Sequence, residues 1–245
     1  MKPELSIVIP LYNEQERIPK TIGIIFDFLK TYDSTTEVIF VNDGSKDDTS
    51  RVLEEYKKVY DFRIVSYSEN RGKGYAVRQG VFAADGSWIA FFDIDLATPL
   101  TALDELLRHM KTGKEEILIG SRRIEGSAIL KTESGLRTFL GQGYTLLSRI
   151  FVPEVRDFTC GFKAYRRDVA KKIFAAAKID RWAFDTEVLY LGKRFGYSIR
   201  QIPVQWTHDT ASRVRVWRDV AHSLKELALI VWFSVSGSYR REMHE

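Results

Sequence analysis

Short, continuous apolar runs separated by segments of helical periodicity constrain this chain more than any other feature. Val38-Ile39-Phe40-Val41 carries no polar residue on either alternating face, so as a strand it must be covered on both sides. The same reading gives strands at Leu5–Pro10, Glu37–Asn42, Arg63–Tyr67, Trp88–Phe92 and Ile117–Gly120. Helical stretches lie between them near Glu14–Lys30, Asp47–Tyr60, Gly74–Ala84 and Leu100–Met110. Buried strands alternating with helices predict an α/β protein with a doubly wound, mainly parallel sheet, whose ligands sit beyond the carboxyl ends of its strands. Polar residues gather at those ends: Pro10-Leu11-Tyr12-Asn13-Glu14, Asn42-Asp43-Gly44-Ser45 and Asp93-Ile94-Asp95.

Beyond Gly120 the pattern changes. Gly126 to Gly135 is polar and reads as a loop. Leu136 to Phe151 repeats apolar residues at helical spacing, further strands are expected at Gly161–Arg166 and Ile199–Trp206, and helices near Thr186–Phe195 and from Trp217 to Phe233. At 245 residues the chain is long enough for one large domain.

Composition narrows the function classes. A net charge of +4 suits phosphate-bearing partners or an anionic membrane, and without a basic run interleaved with aromatics it argues against nucleic acid. The lone Cys160 allows no intrachain disulfide, which fits a reducing, cytoplasmic setting, and it reads as a small buried residue. The four histidines lack zinc-site spacing, and a structural role is expected for His208. No secretory leader is expected from the opening Leu5–Ile9 run, and the apolar stretch Leu227 to Val235 is much shorter than the ~20 residues of a spanning helix, so peripheral attachment at a membrane face is the expectation.

Asp93 and Asp95 flank one residue at the end of an apolar strand, where positions i and i+2 face one way. Two such carboxylates suit Mg²⁺ or Mn²⁺, ions that complete their shells with substrate phosphates, although two solvated loop acids read the same way. Asp43 is placed to accept hydrogen bonds from a base or ribose, while Asp47, Asp48 or Thr49 suit capping of the next helix. Asn70-Arg71-Gly72-Lys73-Gly74 is a glycine-rich loop before a helix, and Lys73 reads either as a phosphate or base contact or as a solvated lysine.

Taken in order and spacing, Ser6–Glu14, Val41–Ser45, Asn70–Gly74 and Asp93–Pro99 resemble family 2 glycosyltransferases. Gly120-Ser121-Arg122, Asp157–Lys163, Phe184–Leu189 and Pro203–Trp206 are similar to the dolichyl-phosphate hexosyltransferase branch, closer to its glucosyltransferases than its mannosyltransferases. The resemblance covers roughly residues 4 to 216. It implies a GT-A fold over residues 1–216, a divalent cation at Asp93 and Asp95, and inversion at the sugar's anomeric carbon, while residues 217–245 read by their own pattern as a C-terminal amphipathic segment suited to a membrane interface. It further implies nucleotide contacts for Pro10, Tyr12, Glu14 and Asp43, lipid-phosphate contacts for Arg122 and Arg137, and a reach of Arg213 over the diphosphate. Asn42 departs from the pattern, since many relatives carry a second Asp there.

The implied partners are a nucleotide-sugar donor, a polyprenyl-phosphate acceptor and a membrane surface. The acceptor's chemistry stands on its own argument. A phosphate monoester is largely dianionic at pH 7 and needs no strong base, only cations that bring it to an anionic donor. Arg122, Arg123 and Arg137 suit that task through bidentate contacts, with Arg123 reading better as surface charge. A sugar-hydroxyl acceptor needs a base, for which Asp185 and Glu187 are the candidates, either of which also suits sugar positioning or helix capping. Leu136–Phe151 with Arg137 and Arg149 reads equally as core or as membrane interface, and Trp217–Tyr239 followed by Arg240 and Arg241 as an interfacial helix. The leading expectation is glucose transfer from UDP-glucose to a polyprenyl phosphate; the alternatives are GDP-mannose as donor, a saccharide hydroxyl as acceptor, or nucleotide-sugar binding without turnover.

Overall fold

The computed structural model describes residues 2–32, 34–131, 135–207 and 216–239, with side chains at 130–139 and 216–221 outside the description. In chain order the elements are β1 (Leu5–Leu11), α1 (Ile18–Leu29), β2 (Thr36–Asp43), α2 (Thr49–Tyr56), β3 (Arg63–Tyr67), α3 (Lys73–Ala83), β4 (Trp88–Phe91), α4 (Ala102–Thr112), β5 (Ile117–Ser121), β6 (Ala128–Lys131), α5 (Gly135–Ser148), β7 (Lys163–Arg166), α6 (Arg167–Ala176), α7 (Phe184–Arg194), β8 (Ile199–Pro203), β9 (Gln205–Thr207) and α8 (Val216–Val235). Seven strands form the main sheet in the order β3-β2-β1-β4-β7-β5-β8. Only β7 runs against its neighbours β4 and β5; the other pairings are parallel.

The sheet is buried on both faces, as the unbroken apolar strands require. Val8, Ile39, Val41 and Phe91 pack on the side of α3, α6 and α7, and Ile7, Ile9, Phe40 and Phe92 pack on the side of α1, α2 and α4. Pro10 sits inside β1 at a permitted place. The ladder to β4 ends at Val8–Phe91, so the missing N–H removes no sheet bond on that side.

Three expectations are corrected. The stretch read as a loop from Gly126 contains β6, which pairs in parallel with β9 in a separate two-stranded sheet. That pairing joins segments far apart in sequence, so local polarity could not reveal it. The single strand expected over Ile199–Trp206 is two, because Pro203 ends β8 beside Ser121 and Gln205 starts β9 in the other sheet. The first helix begins at Ile18 rather than Glu14, since residues before it are held in the loop described below.

The last helix is built into the core on one face. Leu227 and Ile230 join the α6–α7 side of the core, Glu226 Oε2 accepts the Ala183 N–H at 2.9 Å, and the buried Tyr239 donates to Glu187 Oε1 at 2.6 Å. Among the described residues no helix is long and apolar enough to cross a membrane.

Candidate active site

The loops after β1 and β2 are tied together above the carboxyl ends of the sheet. The Asn13 N–H donates to Ser45 Oγ at 2.9 Å, the Lys46 N–H returns to Asn13 Oδ1 at 2.7 Å, and the Glu14 N–H donates to Thr49 Oγ1 at 2.7 Å. Asn13 takes a positive φ of 57°, a conformation that asparagine tolerates better than most residues. Asn42, the departure from the family pattern, uses both ends of its amide: Nδ2 donates to Ser50 Oγ and Oδ1 accepts the Ser45 N–H. The loops leave Tyr12 42% exposed beside the end of β1, while Glu14 is paired with Arg17 at 2.5 Å. Asp47 Oδ1 accepts the Thr49 N–H and so serves the start of α2.

Asp43 closes β2 almost fully buried. Its Oδ2 accepts Asn70 Nδ2 at 2.7 Å and the Gly72 N–H at 2.9 Å, and its Oδ1 accepts the Arg71 N–H at 2.8 Å. The carboxylate therefore clamps the glycine-rich loop that starts α3. Burial raises its pKa, and the Arg71 and Gly72 amides oppose that rise. Gly44 makes the clamp possible: at φ 61° its Cα lies so close to the loop that a Cβ would stand 2.4 Å from the Glu69 carbonyl carbon.

That clamp aims the first residue of α3 at the end of β4. Lys73 Nζ reaches Asp93 Oδ1 at 2.5 Å, with both side chains partly exposed. Burial disfavours the ammonium, but the charges of Asp93 and Asp185 prevail and raise the Lys73 pKa. Asp93 is pressed against Gly161, where a Cβ would stand 2.4 Å from Asp93 Oδ2. Ile94 is buried between the two acids, and Asp95 Oδ1 accepts the Ala97 N–H at 3.0 Å. Burial and then the Asp93 charge raise the Asp95 pKa. Two crowded carboxylates, one already drawing a cationic side chain, fit a hard divalent cation. Among the described residues no three acids, histidines or cysteines gather around one point, so the protein offers an open two-carboxylate edge rather than a closed cage.

Behind this edge lies a third acid. Asp185, in the first turn of α7, is buried and bonded to the fully buried Lys163 at 2.5 Å, and Lys163 also donates to the Cys160 carbonyl at 2.9 Å. Burial raises the Asp185 pKa against the pull of Lys163 and Lys73. Asp93, Lys73, Asp185 and Lys163 thus form an alternating row of charges. Glu187 is placed differently: fully buried, it accepts the Lys178 and Ile179 N–H groups, each at 2.8 Å, and the Tyr239 hydroxyl. Its oxygens hold the 178–179 segment and the end of α8 together, which leaves Asp185 as the acid of this pair that faces the site.

Arg122 follows β5 beside Trp206, and its guanidinium forks onto the buried Asp157 through Nε at 2.7 Å and Nη2 at 2.9 Å, with Nη2 also reaching Thr159 Oγ1. Burial pushes Asp157 up, but the Arg122 hydrogen bonds and charge prevail and hold its carboxyl below the usual range. The bidentate face expected to meet a lipid phosphate is thus used within the protein. Arg137 lies on α5 with its side chain outside the described residues, and His208 and Arg213 lie wholly outside them. Sequence reasoning gave no role to Lys163 or Asp157. The two residues bound the Asp157–Lys163 motif, and their individual roles were hidden because their partners, Arg122 and Asp185, are distant in sequence.

A model of glycosyl transferase family 2 matches residues 6–174 of this chain. The chain belongs to that family. This family 2 glycosyltransferase is 38% identical over 226 residues to a dolichyl-phosphate beta-glucosyltransferase of Drosophila melanogaster, covering 86% of the chain and 69% of that protein. It is 33% identical to the Homo sapiens protein of the same name, covering 98% of the chain and 78% of that protein. Its fold matches the crystal structure of glucosyl-3-phosphoglycerate synthase from Mycobacterium tuberculosis in complex with Mn²⁺, UDP and glucosyl-3-phosphoglycerate, with a TM-score of 0.67 at 20% identity over 95% of the chain and 79% of that one. The transferase therefore has the GT-A architecture expected for it.

Proposed function

We propose that this glycosyltransferase moves glucose from UDP-glucose to the phosphate of a dolichyl-type polyprenol, with inversion, at a membrane surface. The reaction breaks the bond between the anomeric carbon and UDP and forms one to an acceptor phosphate oxygen. The names of its relatives support the acceptor and the sugar. The observation that carries the reading is the state of the acids around the site. Asp185 is ion-paired and buried, and the Glu187 oxygens are fully engaged, so neither is arranged as the strong base a sugar hydroxyl requires. A phosphate dianion needs no such base.

Asp93 and Asp95 would hold Mg²⁺ or Mn²⁺, which when bound supplies charge stabilisation for the departing diphosphate. Lys73, paired with Asp93, would contact the same leaving group. The Asp43 clamp fixes the loop that presents Lys73, and Tyr12 offers an exposed ring at the end of β1 for a base. Arg137 and Arg213 stay assigned to the acceptor phosphate and the diphosphate. Residues 1–216 are the catalytic unit. The C-terminal segment is anchored by one face of α8 and offers Val231, Trp232 and Val235 on the other, and the adjoining α5 exposes Leu146 and Leu147, with Ile150 just beyond. Such side chains suit insertion at the headgroup boundary of a bilayer.

Titration calorimetry with UDP and with GDP, each with Mn²⁺, tests the donor. UDP is expected to bind more tightly, and a clear preference for GDP would move the reading to mannosyl transfer.

A further inference from the structure

Three arginines that the proposed chemistry does not use surround one cavity. Arg123 follows β5, Arg149 follows α5 and Arg156 lies in the turn before Asp157; together with Gln142, Thr145 and Leu146 they line a space of about 560 Å³. That is within the range of small-ligand sites. None of the three forms an ion pair with a described carboxylate. The neighbouring acids are taken: Asp157 is forked by Arg122 and Glu154 is paired with Lys193 at 2.6 Å. Arg149 uses Nε only on the Pro153 carbonyl, and Arg156 is held through its backbone N–H on Gln201. Among the described residues the carboxylate that feels the Arg123 charge, Asp157, is already forked by Arg122, so three like charges stand around one cavity in excess of nearby acid, an arrangement that attracts an anion with several acceptor oxygens.

The lip of the cavity identifies the kind of anion. Gln142, Thr145, Leu146 and Arg149 share one helical face by their spacing. Leu146 is 68% exposed, and Ile150, one residue past Arg149, is 75% exposed. A soluble phosphate would gain nothing from large apolar side chains at its rim, whereas a lipid brings acyl chains to them.

We propose that the cavity lined by Arg123, Arg149 and Arg156 is a headgroup site for an anionic membrane phospholipid, separate from the site of the acceptor's own phosphate. It rests on the reading that the enzyme works at a membrane surface. It adds that attachment is selective for anionic lipid and is set by these three side chains.

The test is flotation of the full chain with phosphatidylcholine vesicles, with and without phosphatidylserine, at low salt. The wild type is expected to prefer the anionic vesicles. The triple variant Arg123→Gln/Arg149→Gln/Arg156→Gln should lose at least tenfold of that preference, since each cationic side chain near such a surface is worth about fivefold. The triple lysine variant, which keeps the charge, should retain most of it. All three side chains lie at the surface, and transfer to a short, water-soluble polyprenyl phosphate in detergent should be unchanged in both variants. The proposal is overturned if the glutamine variant keeps its preference, or if its KM for the short acceptor rises while flotation is unchanged, which would give the cavity to the acceptor. It is also overturned if inorganic phosphate, at matched ionic strength, strips the wild type from anionic vesicles, which would make the ligand a soluble phosphate. Equal flotation of the wild type on both vesicle types refutes the cavity but not membrane attachment; flotation on neither refutes both.

Discussion

Lys73 Nζ lies 2.5 Å from Asp93 Oδ1, so the first acid of the Asp93-Ile94-Asp95 edge already carries a cation supplied by α3. A divalent ion arriving alone must compete with that ammonium, whereas one arriving with a diphosphate brings new anionic oxygens for Lys73. Lys73→Met is therefore expected to bind free Mn²⁺ about tenfold more tightly than the wild type, since a charged hydrogen bond is worth ~1.5–3 kcal/mol, and to bind UDP with Mn²⁺ more weakly. Paramagnetic resonance of free Mn²⁺ reads the first effect and calorimetry the second. Weaker binding of both, or of neither, would remove Lys73 from this role.

Metal dependence follows from the same edge. Asp95→Asn should lose several kcal/mol of transition-state stabilisation, roughly a thousandfold or more in rate, and excess EDTA should abolish turnover in the wild type. Full activity in EDTA would refute the assignment of Asp93 and Asp95.

Arg122 and Asp157 make a prediction about stability. Removing the guanidinium leaves a buried carboxylate without its partner, so Arg122→Ala should cost about 3–5 kcal/mol in urea denaturation at pH 7, with Arg122→Ala/Asp157→Asn recovering part of it. Transfer is expected to fall through disorder of the 157–161 segment that packs on Asp93. An Arg122→Ala protein with normal stability but no transfer would restore Arg122 to a direct contact with lipid phosphate.

The same pair sets a pH dependence. Asp157 has a lowered pKa in the folded state, so in acid the unfolded chain binds a proton that the native one does not. Its contribution is present above the unfolded value near ~3.9 and is lost as pH falls through the folded value. Asp43, Asp95, Asp185 and Glu187 are shifted upward and act in the opposite sense, so the difference between proteins is the readout. Stability measured from pH 6 down to pH 3 should fall more steeply in the wild type than in Asp157→Asn. Parallel curves would mean the pair is not the source.

The buried acids of α7 separate by function. Glu187→Ala should cost ~1–3 kcal/mol by leaving two N–H groups and the Tyr239 hydroxyl unpaired, and should spare the turnover of the folded fraction. Asp185→Asn should impair turnover, because it breaks the row of charges that ends on Lys73 and Asp93. Equal effects of the two on turnover would refute the distinction.

The sheet and its polar edge were legible because a strand buried on both faces must be apolar throughout, as Val38–Val41 and Trp88–Phe92 are. The gathering of Asp43, Asp93 and Asp95 followed from strand ends, whereas Lys73, in the glycine-rich loop before α3, read equally as a ligand contact or a solvated lysine. Contacts set by distant residues were not legible. β6 is only four residues long and is a strand through its pairing with β9, distant in sequence, and Pro203 ends β8 where a continuous strand was expected. The engagement of Asp43 with residues 70–72, of Arg122 with Asp157 and of Asp185 with Lys163 likewise depends on loops whose folding no local pattern encodes.

Organic extraction after incubation with labelled UDP-glucose, Mg²⁺ and dolichyl phosphate tests the central claim most directly. The enzyme is expected to carry label into the organic phase, in amounts that depend on both Mg²⁺ and dolichyl phosphate. Label confined to a water-soluble saccharide, or organic label from GDP-mannose but not from UDP-glucose, would contradict it.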